Sequence, residues 1–321
     1  MSHLSILICL VVLSILNIIL FIHFKKEQTK LDNNENETAK NDISADEIAI
    51  EQWQEVFKKI EKKSVYFKAT SKNSFNKIGG KPNLPNELKW PTLNGTPLSF
   101  IAQIDLSTLP KNNAIIPNET SGALFVFGIL IDGCYFGDEE DGQKAYRVLY
   151  SKNTTAPECE FPKNLDIDAR YEPQYLQSSK IVYDLPVSIE DNFKDFNISL
   201  ASFDNYIEAL EMKKAEDSNL LNLHEKACIK FGGYEEFMQG RILKIVNNGN
   251  TNEENKNTIK INNLINIAED EQSVFLCQIK SQCDKGENMY IGDGGIIYIY
   301  IKKEDLMLGN FKNFYVAMQC G

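Results

Sequence analysis

Three short segments of this chain recur in the same order about 150 residues further on, a pattern that restricts the fold to one built from two copies of a unit. Lys77-Ile78-Gly79-Gly80 is matched by Lys230-Phe231-Gly232-Gly233, and Phe100-Ile101-Ala102-Gln103-Ile104 by Phe275-Leu276-Cys277-Gln278-Ile279. The third match sets Gly122-Ala123-Leu124-Phe125-Val126-Phe127 against Gly295-Ile296-Ile297-Tyr298-Ile299-Tyr300. The first gap is longer in the second copy, where the polar, Asn-rich stretch Asn247 to Asn263 reads as a surface-loop insertion. One copy alone offers too few strands for a covered core. Two repeats, residues 64–200 and 201–321, are therefore expected to pack as one pseudo-twofold unit.

Strand patterning is read in runs rich in β-branched and aromatic residues: Leu98 to Ile104, Ala123 to Ile131, Tyr146 to Tyr150, Ile242 to Val246, Val274 to Ile279 and Ile296 to Ile301. Helical spacing marks Ala45 to Lys63, with Ser44 and Glu47 placed as a capping box, and also Asp204 to Lys214 and Leu221 to Ala227. The closing KKEDLMLGNF reads as a short helix and a turn. Strands in clusters with few helices predict an α+β fold of mostly antiparallel sheet with a few packing helices.

Ahead of this unit, Leu4 to Phe24 is a mostly apolar run without Asp, Glu, Lys or Arg, long enough at helical rise to cross a bilayer. The leading residues carry no Lys or Arg and no small-residue cleavage pattern follows, so residues 1–24 read as a transmembrane anchor rather than a cleaved signal. Residues 25–44, polar and nearly free of aromatic residues, read as a disordered linker, and residues 45–321 as the globular domain. Lys25, Lys26 and Lys30 follow the apolar run, which places the globular domain in the cytoplasm and its six scattered cysteines as free thiols. A net charge of −11 excludes broad nucleic-acid binding, which needs a dense Lys/Arg surface.

The repeated segments also carry a resemblance. SFNKIGGKPNLPNELKWPTLNGTPLSFIAQIDLSTLP, IKFGGYEEFMQG, VFLCQIKSQ and MYIGDGGIIYIYIKKEDL together resemble the ordered motifs of the YwqG-like family, a bacterial family of unknown function, from about Lys62 to Gly321. Tyr290-Ile291 stands where that family often has a Trp before Gly-Asp, and Glu235 stands where a Pro is common after the second glycine pair. The resemblance implies an α+β fold with internal duplication and an association with toxin and immunity gene clusters. It implies no reaction.

Catalytic constellations are sparse. His3 and His23 belong to the apolar segment, leaving His224, four residues before Cys228 and on the same helical face if a helix runs through both. A thiolate pair is one reading of that spacing, and a packing histidine beside a core cysteine is the plainer one. Cys277 and Cys283 lack the tight spacing of a zinc site, and Asp138 to Gly142 lacks the alternation of a calcium loop, so no metal or cofactor is expected. Gly292-Asp293-Gly294-Gly295 precedes a strand, and like the other glycine pairs it reads as a tight turn needing positive φ.

Gln103 and Gln278 are the polar residues that apolar strands must account for. In one reading each amide satisfies neighbouring backbone groups. In the other, both amides line a cleft with Trp90 and Asp293 and bind a peptide or small ligand. The expected function is a non-catalytic protein-binding module at the inner membrane face, with a hydrolase or transferase as the alternative.

Overall fold

The computed structural model describes residues 50, 53, 57–58, 61–130, 145–186, 200–216, 223, 226–238, 273–283, 286–287, 289–292 and 294–320. The apolar segment 4–24, the linker 25–44, the run Ile242 to Val246, the insertion 247–263, the acidic run 138–142, His224 and Asp293 lie outside them. No helix among the described residues is long and apolar enough to cross a membrane.

The described strands are β1 (Lys62–Ala69), β2 (Lys77–Ile78), β3 (Thr92–Leu93), β4 (Thr96–Pro97), β5 (Ser99–Asp105), β6 (Ala123–Gly128), β7 (Tyr146–Ser151), β8 (Gln174–Ser178) and β9 (Val182–Asp184). Helix α1 (Leu200–Glu216) leads to β10 (Ala227–Gly232), β11 (Ser273–Lys280), β12 (Gln282–Cys283), β13 (Gly286–Glu287), β14 (Ile296–Lys302), the short helix α2 (Lys303–Met307) and β15 (Phe314–Gln319). The fold is thus mostly antiparallel sheet with few helices.

The main sheet runs β15-β14-β11-β10-β1-β8-β2-β5-β6-β7, with β9 pairing β1. Its two ends approach each other, since the ring of Tyr150 on β7 lies 5.0 Å from that of Phe311, just before β15, so the sheet is a nearly closed, barrel-like structure. The order mirrors itself about the β1/β8 pair, with β2, β5, β6 and β7 facing β10, β11, β14 and β15. Even the irregularities match: β5 slips register against β6 between Phe100 and Ala102, and β11 slips against β14 between Phe275 and Cys277. An extra residue at the same place in each pair gives both halves the same local bend.

Alternation along the strands divides the apolar residues between faces. Leu124 and Val126 of β6 join Ile297, Ile299 and Ile301 of β14 in one large core shared by the two halves. Their neighbours turn the other way. Phe125 and Phe127 are covered by Leu84, Leu98 and the half-buried Trp90, while Tyr298 and Tyr300 pack with Phe275 and Phe237. A separate cluster joins Trp53 and Phe57 to Tyr206 of α1, with rings edge-to-face at 4.9 and 5.4 Å.

Three element assignments differ from the periodicity. Ile50, Trp53, Phe57 and Lys58 are helical, but Lys62 and Lys63 open β1, because the Val65-Tyr66-Phe67 run that follows pairs with β10. Leu223 and Lys226 are helical, but Ala227 already belongs to β10. The glycine pair Gly232-Gly233 is expected only as a turn, yet all six residues of β10, running into it as far as Gly232, are buried strand. Strand β1, from the start of the folded unit, lies against the second half as β8 lies against the first.

Candidate ligand groove beside the second glycine pair

Register places one cross-strand row of side chains in each half. Tyr175, Lys77, Gln103, Phe125 and Leu149 stand opposite one another across β8, β2, β5, β6 and β7. Tyr66, Lys230, Gln278, Tyr298 and Ala317 do the same across β1, β10, β11, β14 and β15. A lysine and a glutamine at matched, fully buried positions need partners, because desolvated polar groups left unpaired are costly.

The halves supply those partners differently. In the first, the Lys77 ammonium reaches Glu158, whose side chain is half exposed, at 2.5 Å. Gln103 is satisfied on all sides: Asn83 N–H donates to its Oε1 at 2.8 Å, and its Nε2 donates to Phe75 O at 2.7 Å and Asn83 Oδ1 at 2.8 Å. In the second half Glu236 occupies the place of Asn83, six residues after the lysine. Its carboxylate is drawn to Lys230 at 3.0 Å and Lys280 at 2.5 Å. Gln278 Oε1 accepts from Glu236 N–H at 3.1 Å, while its buried Nε2 has no hydrogen-bond partner among the described residues.

Strand β9 brings a second acid to the same place. The buried Asp184 accepts from the Lys230 ammonium at 3.1 Å and from Tyr234 N–H at 2.9 Å through one oxygen, Oδ2. Burial acts to lower the Lys230 pKa, but Asp184, then Glu236 and Tyr66, outweigh it and hold the pKa well above the ordinary lysine value. Burial pushes the Tyr66 hydroxyl well up, against the opposing pull of Lys230. It also raises Tyr298, with Glu236 and Glu235 adding to the effect.

The glycine pairs make these approaches possible. Gly79 and Gly80 have φ of 63° and 71°, Gly232 and Gly233 have 63° and 72°, all in the left-handed region that side chains disfavour. A Cβ on Gly79 would meet Glu172 O at 2.5 Å, and one on Gly233 would lie 2.3 Å from Asp184 Oδ2. The turns expected from sequence are present, and they are also close-packed against neighbouring backbone and carboxylate.

An open groove of about 600 Å³ lies beside Gly232 and Gly233, with Ile115, Val274, Phe275, Leu306 and Met307 as its apolar lining. Most charges on its walls are engaged. Lys63 donates to Asn112 O at 2.9 Å, Lys62 lies 4.4 Å from the centroid of the Tyr234 ring, and Glu61 pairs with Lys213 at 3.1 Å. Glu235 differs: it is only 6% exposed, lines the groove, and has no hydrogen-bond or ion-pair partner among the described residues. In the first half the residue at this position, five after the lysine, is Pro82. The break in the repeat, together with the departure from the common Pro of the resembled family, is a signal in the sequence that could have marked this residue.

The residues expected to share a cleft do not converge. Gln103 and Gln278 are both fully buried and stand five strands apart in the sheet, each bonded to its own half. Neither lines this groove or the cavity of about 460 Å³ between Leu93 to Ser99 and Lys163 to Ala169. Trp90 belongs to the first half alone, where its Nε1–H donates to Leu98 O at 2.9 Å and its ring packs 5.2 Å from Phe127. Asp293 lies outside the described residues. Cys159, Cys277 and Cys320 are free thiols as expected, but Cys228 is disulfide-bonded, which removes the thiolate a His224 pair would need. The recurrence aligns Lys77 with Lys230, but their acids Glu158 and Asp184 lie far off in the chain, so sequence spacing does not show these pairs.

The family model described as Domain of unknown function (DUF1963) matches residues 76–320. No curated protein matches the chain.

Proposed function

We propose that this chain, which belongs to the DUF1963 family, is a non-catalytic protein-binding module of the YwqG-like kind, tethered to a membrane through residues 4–24 and acting in immunity or regulation. The observation that carries the reading is the groove beside Gly232 and Gly233. Its apolar wall runs out onto a rim where Met307 is 71% and the adjacent Leu308 74% exposed. Exposed, adaptable apolar side chains beside an open concave surface are what a partner's segment covers on docking. The matched polar rows support the same view from the other side, since their lysines and Gln103 are committed to internal partners and are unavailable for turnover.

A photo-crosslinking residue at Met307 tests this in the full-length chain in its own cells. One partner captured from position 307 and not from the equally exposed Ile167 is the expected result. Turnover of a substrate in a broad activity screen, with no capture at position 307, would replace the reading with the hydrolase or transferase alternative.

The orientation of the tether has two supports that disagree. Lys25, Lys26 and Lys30 favour a cytoplasmic globular domain, whereas the disulfide at Cys228 favours an oxidising compartment. Alkylation of intact cells before and after reduction separates them: a Cys228 that is modified only after reduction places the domain on the oxidising side.

A further inference from the structure

We infer that the groove beside the second glycine pair receives an arginine side chain of the partner, with its guanidinium paired to Glu235. This rests on the protein-binding reading of the same groove. Glu235 is 94% buried at the groove wall, and neither a hydrogen bond nor an ion pair holds its carboxylate among the described residues. A carboxylate set in a mostly buried residue gains more from a cationic donor than from a neutral one, and a planar guanidinium offers two parallel N–H donors while being less strongly hydrated than an ammonium. The apolar lining from Phe275 and Leu306 suits the aliphatic stem and the flat face of that group. Of the other charges on the wall, Glu61 is taken by Lys213 and Lys63 by the Asn112 carbonyl, while Lys58, Lys62 and Lys303 also line the groove and leave Glu235 as the acid open to an incoming cation. The first half serves as an internal control: with Pro82 where Glu235 stands, it presents no carboxylate at the matching place.

Titration of the full-length chain in non-ionic detergent with N-acetyl-arginine amide and with its neutral isostere N-acetyl-citrulline amide tests the assignment. The arginine probe is expected to bind about tenfold more tightly, and Glu235→Gln to reduce the preference to about twofold or less while Glu160→Gln, at an acid paired with Lys81 that does not line the groove, leaves it in place. Glu235→Pro, which copies the first half, provides a second variant should the glutamine variant fold poorly. Equal binding of the two probes, no saturable binding of the arginine probe, or a preference that survives both Glu235 substitutions overturns the inference. Capture at Met307 separates the two levels: a partner still crosslinked there without any arginine preference leaves the docking groove standing and removes Glu235 from it.

Discussion

The two halves of the sheet share a backbone down to the bulge and the φ angles of the glycine pairs, yet they fill matched positions with different chemistry. The first half closes its row with a neutral amide network around Gln103 and sends its buried lysine toward a surface acid. The second buries a charged cluster of Lys230, Asp184 and Glu236, leaves one amide nitrogen of Gln278 without a partner among the described residues, and places a carboxylate at Glu235 where the first has proline. Strand pairing and positive-φ turns therefore specify the geometry, while the polar content varies within it. The variation gathers around the groove.

The largest difference is expected from removing the acid that faces each lysine. Asp184→Ala strips a fully buried partner from Lys230 and should destabilise the chain by about 3 kcal/mol, whereas Glu158→Ala should cost about 1 kcal/mol because water replaces a half-exposed carboxylate. Denaturant unfolding of both variants measures this, and equal losses would remove the distinction between halves. The pH dependence has a definite sign. Lys230 has a folded pKa raised above its unfolded value, so its contribution is complete below about pH 10 and is lost as pH rises through the folded value. The gap between wild type and Asp184→Ala should stay level from about pH 7 to 10 and narrow only beyond it.

Alanine at the glycines should follow closely. Gly233→Ala and Gly80→Ala both force a side chain into the left-handed region, at about 1–2 kcal/mol each. The added Cβ at 233 also meets Asp184 Oδ2 at 2.3 Å, against 2.7 Å from Pro173 Cβ at 80. Dislodging a buried ion pair is the worse outcome, so Gly233→Ala should lower stability by about 1 kcal/mol more than Gly80→Ala. The reverse ranking in thermal melts would mean that Asp184 gives way freely.

Much of this was legible before any coordinates. The recurring segments land on strands at mirrored places in the sheet, and the paired glycines turn as their sequence requires. What escaped were strands with weak patterning, such as β8, whose QYLQS buries only Leu176, and β10, where a lysine interrupts an apolar run. A strand covered on both faces, as β10 is, needs no clean alternation. The expected cleft failed to form for a related reason: sequence symmetry says that Gln103 and Gln278 are equivalent, but equivalent residues lie on opposite sides of the pseudo-axis rather than together. Glu235 stands out in sequence as a departure from the family's proline, but its burial at a groove wall does not, since that depends on β9, α2 and the 114–115 turn meeting beside it.

The glutamines sharpen the comparison further. Gln103→Leu deprives Asn83 N–H, Asn83 Oδ1 and Phe75 O of their partner and should cost about 2 kcal/mol, whereas Gln278→Leu removes one long bond and an unpaired donor and should fall within about 0.5 kcal/mol of wild type. Equal losses would show that the second amide is satisfied after all.

The smallest expected effect runs the other way. Glu235→Pro transfers the first-half residue into a backbone whose preceding glycines have the same φ angles within about 1°. The amide of Glu235 donates to no described partner, so proline sacrifices no hydrogen bond there, and it reduces the freedom of the unfolded chain. The free protein should gain about 1 kcal/mol, or about 2–4 °C in melting temperature for a unit of this size, while losing the arginine preference of the groove. Stability gained with binding lost is the pattern of a residue kept for a ligand; stability lost with binding unchanged would assign Glu235 to the fold and return the two halves to equivalence.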